Sequence, residues 1–512
     1  MKKPNILIVT SDQHRYDCFG HMGRKVHTPH LDALVAAGTR FEAAITPNVV
    51  CQPARSSILT GLLPLSHGVY DNQVSMDPKI GEAGWAGALS KAGYTTGFIG
   101  KAHFGEDPSA TRWGNPESRS GSASFPEDWF GPYMGFQHAE LMILGHWHDL
   151  LPCEKPPRGQ QFERWFWSHP DAWELWKKDL GPSTGGAAQT WYSALPSAWH
   201  STTWVTDRTR AFIEAHKDDA DPFVLWASYP DPHHPFDCPE PWSRVHHAQD
   251  VDISRTHRRD LDRRPWWHEA SITAAPAAKN ETMRILRTEY SRIGPQSDAQ
   301  LAEMTANYYN MIAFIDHGVG RILDGLQQAG LDKDTIVIFT TDHGELLGDH
   351  GLYLKGPTHY EGLLRVALTA KGPGIKVGQV VREPVSTLDI AASLLDWAGV
   401  SPKGQLQSRS FRKLAEGADE TRDCAWNEWS LQPSRTGVGL ELRTVRTRDA
   451  KLTLDLTSGA GEMYNLRNDP DEMENLFDDP GYAAMRRELT DMINARPGGY
   501  LENLPQQIPD VG

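Results

Sequence analysis

The stretches NILIVTSDQ (residues 5–13) and TIVIFTTDH (residues 335–343) share one design. Each begins with a continuous apolar run, too uniform for a strand with one wet face, and so reads as a strand buried on both faces. Each then ends in donor side chains: Asp12 and Gln13 in the first, Asp342 and His343 in the second. Two further runs, residues 95–100 and PFVLWASY at 222–229, read as buried strands too. Residues 30–37 and 81–92 have helical spacing. Ser297 can cap a long helix running to about Ala329, with Ile312, Ile315, Val319 and Ile322 on one stripe. Apolar strands alternating with amphipathic helices predict an α/β fold, a large mostly parallel sheet sandwiched by helices.

Two stretches interrupt this rhythm. Residues 113–204 hold ten of the 18 tryptophans, and residues 246–295 are polar and irregular. They read as inserts, at about 105–205 and 246–295, of the kind that form lids or contact surfaces. His146-Trp147-His148 and the tryptophans at 165 and 167 lie in the first; they either line a pocket mouth or pack within the insert. A helix at 386–400 and a polar link at 402–410 precede three short strands, LELRTVRT, AKLTLDL and GEMYNL, a turn at Asp469-Pro470 and a helix around 482–495. The expected organisation is a catalytic domain over 1–402 and a smaller antiparallel α+β domain over 403–512.

Composition narrows the function. With 39% hydrophobic and 23% charged residues among 512, a large core can form. The net charge of −15, without a Lys/Arg-rich block, argues against nucleic-acid or membrane-surface binding. Five unpatterned cysteines (18, 51, 153, 238, 424) argue against a disulfide framework. The apolar run at residues 5–10 is too short for a signal peptide, and no stretch is long enough to span a bilayer, so a soluble, cytoplasmic protein is expected. The insert at 246–295 and the tail at 498–512, which has no apolar periodicity, predict a homo-oligomer through arms that reach a neighbour.

In open α/β sheets ligands bind at the carboxyl ends of the strands. Asp12, Gln13, Asp342 and His343 gathered there would make a divalent-metal site. Its oxygens favour Ca²⁺, Mg²⁺ or Mn²⁺, and its one imidazole leans toward Mn²⁺. Taken singly, each pair also fits a helix cap. Cys51-Gln52-Pro53-Ala54-Arg55, followed by SSILTG, reads as the first turn of a helix. The thiol would sit where a helix N-terminus favours anions, with Arg55 as a fixed cation for a tetrahedral oxyanion.

C-x-P-x-R followed by a helix ending in T-G resembles the signature of the sulfatase family, within the alkaline phosphatase superfamily. Gly100-Lys101-Ala102-His103 resembles the family's G-K-x-H, and Pro232-His233-His234-Pro235 its P-H-x-P. Asp342-His343-Gly344-Glu345, then Gly348-Asp349-His350 and Lys355, is similar to its D-N/H-G and later lysine. Tyr464-Asn465-Leu466, Asp469-Pro470 and Glu474-Asn475-Leu476 resemble its C-terminal stretch. The resemblance implies an alkaline-phosphatase-like sheet and one divalent metal ion, Mn²⁺ or Ca²⁺, on Asp12, Gln13, residue 51, Asp342 and His343. It implies that Cys51 is converted to formylglycine by a maturation enzyme. It also implies catalytic roles for Cys51, Arg55, Lys101, His103, His233 and Lys355, with His103 as a base and His233, with Lys355, as proton donor. Gln13 and His343 stand where many members have Asp and Asn, a departure similar to phosphonate monoester hydrolases, as is Asn72 as a substrate contact. Lys101 and His103 follow the sulfatase pattern. The expected substrate is a small anionic ester. The expected activity is sulfate monoester hydrolysis with side activity on phosphate diesters and phosphonate monoesters, or the reverse preference in the same site.

Overall fold

The computed structural model describes residues 3–105, 115–118, 121–143, 159–178, 181–278, 281–402, 404 and 406–507. His146-Trp147-His148 and Cys153 lie outside the described residues.

The eight strands of the main sheet are β1 (Asn5–Ser11), β2 (Thr39–Phe41), β3 (Thr95–Lys101), β4 (His138–Met142), β5 (Phe223–Tyr229), β6 (Thr335–Thr341), β7 (Leu368–Lys371) and β8 (Gln379–Val381). Their order is β8-β2-β7-β6-β1-β5-β3-β4. β1 lies at the centre, parallel to both β6 and β5, and only β7 runs against the rest. Successive side chains of a strand point to opposite faces, so the continuous runs supply two cores. Ile6, Ile8, Trp226, Ile336 and Ile338 pack on one face with Ile58, Leu89 and Leu394. Leu7, Val9, Leu225, Val337 and Phe339 pack on the other with Leu34, Val205, Ile315 and Ile322.

The first face is covered by α2 (Cys51–Thr60), α3 (Trp85–Lys91) and α6 (Asp389–Ala398); the second by α1 (Pro29–Ala36), α4 (Ser201–Ala215) and α5 (Asp298–Gln328). Ser297 caps α5 as expected: its side chain accepts from Gln300 N, and the Gln300 side chain accepts in return from Ser297 N. Trp226 is fully buried between Trp85 and Phe98, and its ring N–H donates to Thr10 Oγ1 at 2.9 Å. Losing such a side chain costs about 3–5 kcal/mol.

The structure corrects several readings. Residues 81–92 are not one helix. A short helix, Pro78–Ala83, ends at Gly84, and α3 starts beyond it. A Cβ on Gly84 would lie 2.6 Å from Leu59 O, so the break lets α2 approach. The region at 105–205 is not all insertion. His138–Met142 is the edge strand β4 of the main sheet, unread because HAELM lacks β-branched residues. Trp165 and Trp167 pack against the second core face, in agreement with the reading that they pack within the insert. The region at 246–295 is partly helical, with Trp266–Thr273 and Glu281–Ile285, continuing through Leu286–Tyr290.

The smaller sheet is antiparallel, β9 (Ala425–Leu431), β10 (Leu440–Arg446), β11 (Ala450–Asp455) and β12 (Gly461–Asn465). β9 was not expected. Its buried Asn427 and Glu428 break the apolar pattern because they bond Thr46 O and Arg496. One face of this sheet holds α7 (Ala483–Asn494) through Leu489 and Ile493. The other presents Trp429, Leu442 and Tyr464 to Val50, Tyr360 and Leu363 of the main body. Residues 498–507 fold back on their own chain rather than projecting. Leu501 N donates to Leu65 O, and the Gln507 side chain donates to Asn72 O. Among the described residues no helix is long and apolar enough to cross a membrane. Cys18, Cys51, Cys238 and Cys424 are all free and buried.

Candidate active site

Asp12 and Asp342 follow directly on β1 and β6, neighbouring parallel strands, so both carboxylates emerge at the same sheet end. Cys51 is the first residue of α2, whose far end is closed by Gly61 at φ 70. A Cβ at Gly61 would meet Ser408 and Ala391 within 3 Å, which explains the T-G of the motif. The glycine of G-K-x-H has a similar cause. At Gly100, φ is 113 and a Cβ would lie 2.0 Å from Ser228 O on β5. Only glycine lets β3 close on β5 and carry Lys101 into the site.

The ligating atoms of Asp12, Cys51, Asp342 and His343 lie within 4.8 Å of one another, all buried. Cys51 Sγ is 3.5 Å from Asp12 Oδ1, 3.1 Å from His343 Nε2 and 3.0 Å from Lys355 Nζ. His343 Nδ1 is 2.8 Å from Gly344 O, and a carbonyl can only accept. A ring proton is therefore on Nδ1, and Nε2 faces the cluster. Gln13, at φ 59, donates its backbone N–H to Asp342 Oδ1 at 3.0 Å. Its side-chain nitrogen faces the carboxylate of Glu345 and His234 Nδ1, and its Oε1 is buried without a hydrogen-bond partner. Two carboxylates, one imidazole nitrogen and an unsatisfied amide oxygen fit a hard divalent cation.

The fixed cations surround this cluster. Arg55 is fully buried; its Nε donates to Asp342 Oδ2 at 2.8 Å, and its other nitrogens reach Asp12 Oδ2 at 3.4 Å, Ser228 Oγ and Lys101 O. Lys101 Nζ lies 2.5 Å from Asp12 Oδ2. Burial opposes its charge, but Asp12 and the Cys51 sulfur outweigh burial and hold its pKa above the ordinary lysine value. Burial alone would raise the Cys51 thiol. Lys355, Lys101 and His343 overcome that and pull it well below the usual range. His103 is pushed down to about 4 by burial, with Lys101 and Arg55 adding to it against its bond to Cys51. His233 is pushed down to about 3 by burial and by Lys355 and Lys101. Both imidazoles are thus neutral near pH 7. His233 Nδ1 donates to His234 O at 2.5 Å, which turns its Nε2 lone pair to Lys355 Nζ at 2.9 Å.

All the residues expected from sequence converge here. Asn72 lines the cleft, and its Oδ1 accepts from Gln52 N at the start of α2 at 3.0 Å. Sequence reasoning gave no role to Glu345, which orients Gln13, or to Tyr308, whose hydroxyl donates to Gln13 O and accepts from Arg15 N. The signal for Glu345 was its place two residues after His343. Nothing flagged Tyr308, one polar group on a long helix. The cleft has a volume of about 370 Å³ and runs outward from Cys51 past the segment at 283–293 to Arg435 and Thr436 of the C-terminal part.

The model for the family described as "Sulfatase" matches residues 4–400, well over half the chain. The chain belongs to the sulfatase family. The C-terminal model of N-sulphoglucosamine sulphohydrolase also matches, over residues 348–497. Among relatives of this sulfatase, an arylsulfatase of Clostridium perfringens is 28% identical, over 98% of this chain and 96% of the relative. The multifunctional alkaline phosphatase superfamily protein PehA of Trinickia caryophylli is 27% identical over 95% of this chain and 94% of the relative. The phosphonate monoester hydrolase of Agrobacterium radiobacter superposes with a TM-score of 0.74 at 25% identity, covering 96% of this chain and 95% of that one.

Proposed function

We propose that this sulfatase hydrolyses sulfate monoesters, with residue 51 as nucleophile after conversion of its cysteine to formylglycine by a maturation enzyme. The observation that carries the reading is the placement of Cys51 Sγ, at the start of α2, within 3.5 Å of Asp12, His343 and Lys355. Asp12, Gln13, Asp342, His343 and residue 51 would hold one divalent ion, Mn²⁺ or Ca²⁺. Bound there, it would act as a Lewis acid toward the nonbridging oxygens and lower the pKa of a neighbouring hydroxyl.

The chain's own groups do the rest. Arg55 and Lys101 orient the ester and balance charge on its oxygens, in a site that needs no reorganisation. The hydrated residue 51, ionised at one hydroxyl, attacks sulfur with that oxygen as the S–O bond to the alcohol breaks. Lys355 Nζ passes a proton across the 2.9 Å contact to the His233 Nε2 lone pair, and His233 hands it to the departing alcohol. His103, neutral and bonded to residue 51, removes the proton of the second hydroxyl. The C–O bond to the sulfate then breaks, sulfate leaves and the aldehyde returns. A serine ester would have no such exit. Acid–base help of this kind contributes about 10²–10⁴-fold. Residues 1–402 carry this chemistry, and 403–512 form one wall of the cleft.

Gln13, His343 and the likeness to a phosphonate monoester hydrolase favour a second reading, phosphonate monoester or phosphodiester hydrolysis in the same site. The test is kcat/KM for one aryl leaving group on sulfate, phosphate monoester, phosphate diester and phosphonate. The sulfate should lead, the diester and phosphonate should be measurable, and the dianionic monoester poorer. A tenfold lead for phosphonate or diester, about 1.4 kcal/mol, makes the second reading the answer. Lys101→Tyr with His103→Thr should move the ratio toward phosphonate.

A further inference from the structure

The outer half of the cleft is lined by four arginines, Arg259, Arg287, Arg292 and Arg435. Among the described residues, three of them pair with no carboxylate. Arg259 donates to Gly351 O and Ile293 O, each at 3.1 Å. Arg292 donates to Ile272 O and Thr436 O. Arg287 is only 8% exposed, yet its guanidinium has one hydrogen bond, to Ser434 O. Arg435 lies 3.5 Å from Asp71 Oδ1.

The charges around the Arg287–Arg435 pair do not balance. Asp71, the carboxylate that acts on both, also accepts from Asn72 N at 2.8 Å and the Gln507 side chain at 3.2 Å, and burial raises its pKa. Glu117, the acidic residue lining the cleft, is occupied by Phe104 N and by Tyr133 Oη at 2.6 Å. Burial and the neighbouring charge of Arg435 depress the Arg287 pKa to about 10, so the two guanidiniums repel each other. Buried arginines without a matched anion are costly, whereas a fork of guanidinium donors binds sulfate or carboxylate strongly. The same wall carries Met283, Leu286 and Ile293, apolar surface for a ring between the two ends.

We infer that Arg287 and Arg435 form a second anion subsite, so that the preferred substrate carries an additional sulfate or carboxylate on its leaving group. The subsite lies beyond Asn72, whose side chain bonds the backbone next to Cys51 and whose neighbour Asp71 meets Arg435. It rests on the ester-hydrolase reading of the inner site but not on which ester is cleaved. The structural alternative is that these arginines only staple the segment at 281–293 to the loop at 433–437 through its carbonyls.

The experiment uses aryl sulfates bearing a para carboxylate on zero, one or two methylenes, each paired with its methyl ester. Wild-type enzyme should favour at least one carboxylate over its methyl ester by tenfold or more in kcat/KM, mainly through KM. Arg287→Gln with Arg435→Gln should bring that ratio to within about twofold of unity, with the methyl ester reporting a folded enzyme. Arg287→Lys, which keeps the charge but loses the planar fork, should retain part of the preference. No wild-type preference in any pair overturns the inference, as does an equal loss on both members of a pair in the variants. Should that double variant fail to fold, the wild-type ratios and Arg287→Lys still decide. If the sulfates are inert but the matching phosphonates show the arginine-dependent preference, the subsite stands and the sulfate reading falls.

Discussion

Gln13 is held in its left-handed backbone conformation by Asp342, which takes its N–H, and by Tyr308, which donates to its carbonyl. A carboxylate only accepts, so Glu345 fixes the amide with its nitrogen turned to Glu345 and its oxygen left over. Glu345→Gln keeps an acceptor for Leu347 N and Leu354 N but sets an amide nitrogen against that of Gln13. The Gln13 carbonyl must then turn away. Metal affinity should fall about 10–100-fold with the fold intact, as expected for a group that orients a ligand. Titration of the metal-free variant with Mn²⁺ or Ca²⁺ checks this; wild-type affinity would remove Gln13 from the ligand set. Cys51→Ala should abolish turnover without changing the melting temperature. Peptide mass spectrometry of active enzyme should find an aldehyde or its hydrate at residue 51, and an unmodified thiol at full activity would sink the proposed elimination.

Among the elements, α2 is the one on which the site depends, and a neutral histidine secures its packing. His67 is fully buried, faces Ser57 Oγ at 2.9 Å, and accepts the Val69 N–H at 3.1 Å on Nδ1. Protonation would abolish that acceptor, and burial pushes the group down to about 3. The folded pKa thus lies below the unfolded one. The stability His67 contributes is complete above about pH 6.5 and is lost as pH falls toward 3, at about 1.4 kcal/mol per unit. His359, also pushed to about 3 by burial, adds a second term of the same sign. Denaturant midpoints should fall steeply from pH 6.5 downward. His67→Gln should lower that slope by up to one proton whatever it does at neutral pH, and an unchanged slope would mean that His67 does not titrate on unfolding.

Across the whole molecule, the small sheet is joined to the main body by buried charge as well as by the apolar contacts of Trp429 and Tyr464. Lys451, fully buried, meets Glu472 and the carbonyl of His359, and Arg446 meets Glu361 at 3.0 Å. Lys451→Met would leave Glu472 uncompensated and should cost about 3–5 kcal/mol, read by chemical denaturation. A chain ending at residue 402 would expose the apolar face against Val50 and Leu363 and remove Arg435 from the cleft. It should give no soluble active enzyme. Chelation should abolish activity of the full-length protein, and Mn²⁺ or Ca²⁺ should restore it.

Wherever the chemistry lies in short local segments, the sequence by itself determined it. The runs before Asp12 and Asp342, the helix start at Cys51 and the motifs around Lys101, His233 and Lys355 are local, because strand burial and helix capping act over a few residues. They sufficed for the fold class and for the residues that converge at the inner end of the cleft. Tertiary structure alone decided what depends on partners distant in sequence. β9 hides its pattern because Asn427 and Glu428 are satisfied by residues elsewhere in the chain. The helical segment near Arg287 and the loop carrying Arg435 are far apart in sequence and meet only in the folded cleft. An isolated surface-like arginine carries no mark of the pocket it will line. Its environment is set by chain closure across the whole molecule, and so the inner cluster is legible locally while the outer wall of the cleft is not.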